Sequence, residues 1–163
     1  MDGPIRRVGS DPERFWEKVA KSVDCWEWSA FRDRAGYGRF MISGSPRLAH
    51  RVSFELANGA IPAGVEVDHM CHNPACVNPR HLRLATRSLN AQNMSRARRD
   101  SSSGIRGVRR RKGSKGWWIA ECSIAGQRHY LGTFDTAEEA NKVVTAERRA
   151  HMPYSLMDKK ELV

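Results

Sequence analysis

The sequence predicts an α+β chain of two small modules: an irregular, metal-clamped one, then a three-stranded antiparallel sheet packed on one helix. Three observations predict it. Cys71, Cys76 and His81 follow one another at x4 spacings in a loop that Pro74 and Pro79 bar from regular helix or central strand. Three runs, residues 105–111, 116–124 and 127–134, alternate apolar with polar residues or carry aromatic and β-branched ones, and they lead into an amphipathic helix. Between these regions, residues 87–115 hold ten lysines and arginines against a single acid, Asp100. The expected limits are 1–95 for the first module, 96–104 for a basic, serine-rich linker and 105–163 for the second module. A chain of 163 residues accommodates two domains of about eighty residues each.

Each element has its own signal. Ser10-Asp11-Pro12 ahead of residues 13–21 reads as a capped short helix with Phe15, Trp16 and Val19 on its apolar side. Trp26 and Trp28 alternate on a strand beside Cys25 and cover a small core. Residues 50–58 read as a helix ending at Gly59, with His50 in a structural role. A further helix is expected at Asn90, extended by Arg96, Arg98 and Arg99, before the flexible Ser101-Ser102-Ser103-Gly104 break. In the second module, Lys-Gly-Ser-Lys-Gly and Ala-Gly turns separate the strands. Thr136 is positioned as an N-cap with Glu138 and Glu139 in the first turn, and Ala137, Ala140, Val143 and Val144 form the apolar face of a helix running towards His151.

The irregular loop needs a clamp. Tetrahedral zinc takes four nitrogen or sulfur donors, and Cys25 is the candidate fourth beside Cys71, Cys76 and His81. His72 is the alternative imidazole. Cys122 lies in a separate, differently patterned segment. Disulfides are the rival explanation, but residues 1–9 lack the apolar core of a signal peptide, so no oxidising compartment is implied.

Such a scaffold can display hydrolytic chemistry. Cleaving a phosphodiester needs a base to activate water and a metal to neutralise charge on the phosphate and leaving oxygen. His69 is a base able to take a proton near neutrality, and the Asn90 carboxamide is a hard oxygen ligand suited to Mg²⁺ or Mn²⁺. Asp68 is a second candidate ligand for that metal.

The residues that run from Cys25 and the Gly36-Tyr37-Gly38-Arg39 hairpin, through AHRVSFELANG and DHMCHNPACVNPRHL, to Asn90 resemble the HNH, or ββα-metal, endonucleases, particularly the zinc-bound His-Cys box homing enzymes. About half the chain is covered. The resemblance implies that His69 is the general base, that Asn90, twenty-one positions later, binds the catalytic metal, and that Cys25, Cys71, Cys76 and His81 hold one structural zinc. It also implies a hairpin arginine on the scissile phosphate, for which Arg39 is the candidate and Arg51 the fallback. Two departures stand out. Asp precedes His69, as in phage HNH nicking enzymes, and no second cysteine-rich loop follows the box.

The basic segment is suited to neutralising phosphates and releasing counterions from a duplex. SGIRGVRRRKGSKGWWIAECSIAGQRHYLGTFDTAEEA resembles an AP2/ERF DNA-binding domain, most specifically in RGVR, the aromatic-x-AE run and LGTFDTAEEA. That resemblance implies a sheet lying in the major groove, with Arg106, Arg109, Arg111, Glu121, Arg128 and Tyr130 turned towards the DNA; Arg96, Arg98 and Arg99 join the interface from the linker. The loop between Arg111 and Trp117 is longer than in plant members and Ser123 replaces a frequent arginine, so their target sequence does not carry over.

Taken together, these features predict a site-selective, homing-type DNA endonuclease with structural Zn²⁺ and catalytic Mg²⁺ or Mn²⁺, of a phage or mobile intron. Its partner is double-stranded DNA, and a monomer is the preferred oligomeric reading. No apolar run is long enough for a membrane span, so an intracellular, soluble protein of the phage-infected bacterial cytoplasm is expected. The alternative is a zinc-containing DNA-binding transcription regulator with an inactive HNH scaffold; RNA binding is a further rival, disfavoured because the deep, narrow RNA major groove excludes such a sheet.

Overall fold

The computed structural model of the protein describes residues 11–94, 97, 99, 101–113 and 116–158. The chain divides into two compact units, 1–85 and 86–163. The first is built from very short elements: α1 (Asp11–Trp16), β1 (Val19–Ala20), β2 (Glu27–Trp28), β3 (Arg39–Ile42), β4 (Ser45–Leu48), α2 (Ala49–Asn58), β5 (Glu66–His69), a 3-10 turn at Pro79–His81 and β6 (Leu82–Ala85). The second comprises α3 (Arg87–Asn90), β7 (Val108–Arg110), β8 (Trp118–Ile124), β9 (Gln127–Phe134) and α4 (Ala137–His151). Among the described residues, no helix is long and apolar enough to cross a membrane.

Aromatic packing holds the first unit together. Phe15, Trp28 and Phe40 are buried, with Phe15 5.1 Å from Trp28 and edge-on to Phe40 at 5.3 Å; such pairs add about 0.5–1.5 kcal/mol beyond their area. Gly38 lets the β3 hairpin approach this cluster, because a Cβ there would lie 2.6 Å from the Trp28 ring. A second, smaller cluster of Phe54, Val67 and Leu82 joins α2 to the antiparallel β5–β6 pair.

The first helix is shorter than the 13–21 expected. The Lys18 amide already closes a tight turn onto the Phe15 carbonyl, and Val19 and Ala20 are extended because they pair with Trp28 and Glu27. Tertiary pairing here overrides helical propensity. Ser10 lies outside the described residues.

In the second unit β7, β8 and β9 form one antiparallel sheet, and α4 buries Ala140 and Val144 against Val108, Ala120 and Cys122. Thr136 and Glu139 form a reciprocal capping box at the start of α4. The first strand is only three residues long, not the expected 105–111. Gly107 sits at φ 81°, outside the extended region, and so close to β8 that a Cβ would fall 2.6 Å from the Glu121 carbonyl oxygen, so only glycine fits and the strand begins after it. The helix at Asn90 is likewise short. It stops within one turn, and Arg99 stands in a turn rather than on a helical extension. Arg96 and Arg98 lie outside the described residues.

Candidate metal centre and catalytic site

One ligand atom each from Cys25, Cys71, Cys76 and His81 lies within 4.8 Å of the other three. Local structure brings them there. The Val77 amide donates to Trp26 O at 2.7 Å and the Trp28 amide to Ala75 O at 2.9 Å, which seats the Cys25 strand on the Cys76 loop. Asn78 caps the 3-10 turn that carries His81 and donates from Nδ2 to Asp24 O at 2.9 Å. All four cysteines of the chain are free thiols, and Cys122 is buried in the sheet of the other unit.

The spacing suits a metal. His81 Nδ1 stands 3.6 Å from Cys25 Sγ and 3.6 Å from Cys76 Sγ. Bond lengths of about 2.3 Å to sulfur and 2.05 Å to nitrogen at a tetrahedral angle give an S···N edge of about 3.5 Å. The sulfurs already share charge: hydrogen bonding from the Cys76 thiol holds Cys71 down to about 5, while the same bond pushes Cys76 up. Asp24 Oδ1 lies 3.6 Å from Nε2 of His81, the outward side of the ring, where a carboxylate can orient a ligating imidazole. The cluster can hold a metal such as zinc.

His69 ends β5 and is 7% exposed. Its Nε2 lies 2.9 Å from the Cys76 carbonyl oxygen, which can only accept, so the proton is on Nε2 and the lone pair on Nδ1. Burial, the largest influence, lowers its pKa and keeps the ring neutral. Thus the residue that contributes a sulfur to the candidate metal cluster also orients His69 through its backbone.

The other expected residues are engaged by neighbours that the linear sequence does not reveal. Asp68, opposite Arg83 in the β5–β6 register, accepts from Arg83 Nε at 2.9 Å. Arg39 donates from Nε and Nη2 to Asp33 Oδ2 at 3.1 and 2.9 Å. Arg51 donates to the Val65 carbonyl at 3.5 Å. Asn90 is the last residue of α3, in the second unit, and its main-chain N–H donates to Thr86 O at 2.8 Å within the helical turn.

Sequence reasoning assigned His50 a general structural role and did not place it beside His69. Its ring centroid lies 4.6 Å from that of His69, and Tyr37 lies 5.5 Å from His50 and 5.9 Å from His69. Only the approach of α2 to β5 makes this neighbourhood; a spacing of nineteen residues carries no signal. Burial, then the like charge of His69, Arg51 and Arg39, outweighs Asp33 and holds His50 at about 3. An unfolded chain protonates this residue near 6.5, so the stability of the neutral form is complete above that pH and is lost as pH falls towards 3. Between pH 6.5 and 5, thermal unfolding should therefore respond to acid more steeply in the wild type than in His50→Phe, by up to about 1.4 kcal/mol per pH unit. Parallel melting-temperature profiles for the two proteins would contradict this.

The sheet of the second unit presents a polar outer face. Glu121 stands opposite Tyr130 and Ser123 opposite Arg128 in the β8–β9 register. Arg109 Nε donates to Glu121 Oε1 at 3.1 Å, and the Tyr130 ring is 63% exposed. Arg111 and Arg128 are exposed. Arg106 departs from the expected set. Its half-buried guanidinium turns inward, with Nη1 donating to Gln92 O at 2.9 Å and Ser155 Oγ at 3.1 Å rather than facing outward from the sheet.

Comparison with known proteins bears on this site. Protein 7.7 of Escherichia phage T7 is 39% identical over 71 residues, 44% of this chain and 55% of that protein. Protein 2.8 of the same phage is 35% identical over 85 residues, 50% of this chain and 58% of that protein. Protein 3.8 of that phage is 29% identical over 102 residues, 63% of this chain and 83% of its own length. The chain thus spans little more than half the length of the first two relatives. No solved structure matches. The HNH endonuclease family model matches residues 47–92, the stretch that carries His50, Asp68, His69, three members of the Cys/His cluster and Asn90.

Proposed function

We propose that the protein is a site-selective, homing-type endonuclease that hydrolyses double-stranded DNA with His69 as general base and one divalent metal. The observation that carries this reading is the Nε2 hydrogen bond from His69 to the Cys76 carbonyl, which leaves the basic lone pair on Nδ1. In this reading Nδ1 takes a proton from water as the water oxygen bonds to phosphorus. The bond from phosphorus to the 3′ oxygen breaks, leaving a 5′-phosphate and, after protonation by solvent, a 3′-hydroxyl. Mg²⁺ or Mn²⁺, when bound, supplies charge neutralisation at the phosphate and leaving oxygen. Asp68 and Asn90 would hold that ion, with Arg83 orienting the Asp68 carboxylate. Arg39 would contact the scissile phosphate, and Asp33 holds its guanidinium in place until then.

The zinc-type cluster has a structural role in this scheme, since four protein donors leave no position for substrate. Residues 1–95 supply the hydrolytic module and 105–163 an AP2-like reader, joined by the basic 96–104 segment. The outward Arg109, Arg111, Glu121, Arg128 and Tyr130 are suited to phosphates and base edges, with Arg99 adding to phosphate binding. Phage relatives accord with action in an infected bacterium.

The test is incubation of supercoiled plasmids, with and without candidate target sites, with Mg²⁺ or with EDTA. Conversion to nicked or linear DNA that requires the metal and a particular insert supports the reading. Sequence-specific binding with no cleavage under any divalent ion would instead identify a DNA-binding regulator on an inactive HNH scaffold.

A further inference from the structure

The segment that carries Asn90 is too short to hold itself. An isolated single turn of helix is unstable in water, because nucleation fixes several residues for one hydrogen bond. What holds α3 and the residues after it lies in the second unit. Arg106 Nη1 donates to Gln92 O at 2.9 Å and to Met94 O at 3.4 Å, and the Tyr154 amide donates to Gln92 Oε1 at 3.4 Å. Gln92 is coupled to Asn90 by that same turn, in which the Gln92 amide donates to Leu89 O and the Asn93 amide to Asn90 O, each at 3.0 Å.

The launching point of Arg106 is rigid. Its own carbonyl accepts from Arg148 Nη1 at 2.7 Å, and Arg148 is 4% exposed and forked onto both oxygens of Asp158 at 2.8 Å each. Gly107, the next residue, is pressed on the Glu121 carbonyl of β8. Ser155, which accepts a second bond from Arg106 at 3.1 Å, is 1% exposed. A chain of contacts, part-buried at Arg106, therefore runs from the sheet and α4, through Arg106, to the main chain two residues beyond Asn90.

From this we infer that Arg106 is a positioning residue for the catalytic metal, and that the C-terminal unit, besides binding DNA, sets the geometry of the Asn90 ligand. The inference rests on the proposed role of Asn90. It makes the fold of the sheet unit a determinant of how the Asn90 segment is held. The carboxamide and the clamp then act as ligand and outer support, an arrangement whose disruption typically costs about 10- to 100-fold in metal affinity or activity.

The experiment uses the full chain. Arg106→Met keeps much of the side-chain volume but removes every donor, and Arg106→Lys keeps the charge but ends one bond short of the Nη1 position that Gln92, Met94 and Ser155 surround. For each, the Mg²⁺ concentration giving half-maximal plasmid cleavage is measured beside DNA affinity in EDTA and the melting temperature. The expected result is an Mg²⁺ midpoint raised about tenfold or more in Arg106→Met, with a smaller rise in Arg106→Lys and DNA affinity near that of the wild type. A merely structural arginine would lower the melting temperature without moving the midpoint. A wild-type midpoint in folded Arg106→Met, or in Arg106→Lys should the methionine variant not fold, overturns the inference. Asn90→Ala run in parallel separates the two levels: an inactive Asn90→Ala with unmoved Arg106 variants refutes the clamp alone, whereas a fully active Asn90→Ala refutes the ligand assignment and the clamp together.

Discussion

His69→Ala is expected to lower plasmid cleavage by a factor of about 10² to 10⁴, the usual cost of losing a general base, while DNA affinity stays close to that of the wild type. The side chain is buried at the end of β5 and its Nε2 hydrogen bond ends on the protein backbone, so its loss removes a proton acceptor and no basic DNA contact. The alanine also strips the Cys76 carbonyl of a donor and the His50 ring of its neighbour. His69→Gln is therefore the companion variant, because its amide can still donate to Cys76 O but cannot accept a proton from water at neutral pH. Both proteins should bind a target duplex and fail to cut it. Undiminished cutting by either purified variant would remove His69 from the mechanism.

Metal removal should have the larger effect on the fold. Metal analysis of protein purified without added zinc is expected to find about one tightly held zinc per chain, and Cys71→Ser should destabilise residues 1–85 rather than only slow the enzyme. The magnitudes decide this. Structural zinc contributes roughly 10–16 kcal/mol of apparent binding energy in small zinc-dependent folds, against a total stability of about 5–15 kcal/mol for an ordinary domain. The described part of residues 1–85 contains two-residue strands and a six-residue first helix, and its core is two small clusters, one around Phe15, Trp28 and Phe40 and one of Phe54, Val67 and Leu82. Tryptophan fluorescence would report the loss, since Trp28 is fully buried on the strand that Cys25 leads into. A soluble Cys71→Ser protein that lacks zinc yet melts at the wild-type temperature would show that the cluster is not a structural metal site.

Much of the local structure was legible in the residues. The α4 helix begins where Thr136 and Glu139 cap one another and ends at His151, because capping and apolar periodicity are nearest-neighbour properties of the chain. The x4 spacings singled out the three loop ligands, and the chemistry of thiolate and imidazole suggested the metal. Lengths of elements were less legible. Residues 17–21 were expected to be helical and residues 105–107 extended, yet pairing of Val19 and Ala20 with β2 and the close approach of Gly107 to β8 decided otherwise.

What the sequence by itself determined was therefore the inventory: two small α+β regions, a candidate base, a set of thiols and an imidazole able to bind a metal, and an excess of positive charge. Only the tertiary structure decided what each group faces. It set His50 and Tyr37 against His69, gave Asp68 to Arg83 and Arg39 to Asp33, and turned Arg106 from the sheet face onto the carbonyl of Gln92. The physical reason is range. Caps, turns and ligand spacings are decided over three or four bonds of helix or loop, where the order of residues is the geometry. The orientation of a buried guanidinium or imidazole is decided by which carbonyl, carboxylate or ring the packing brings within about 3 to 5 Å, and those partners lie far away in the chain.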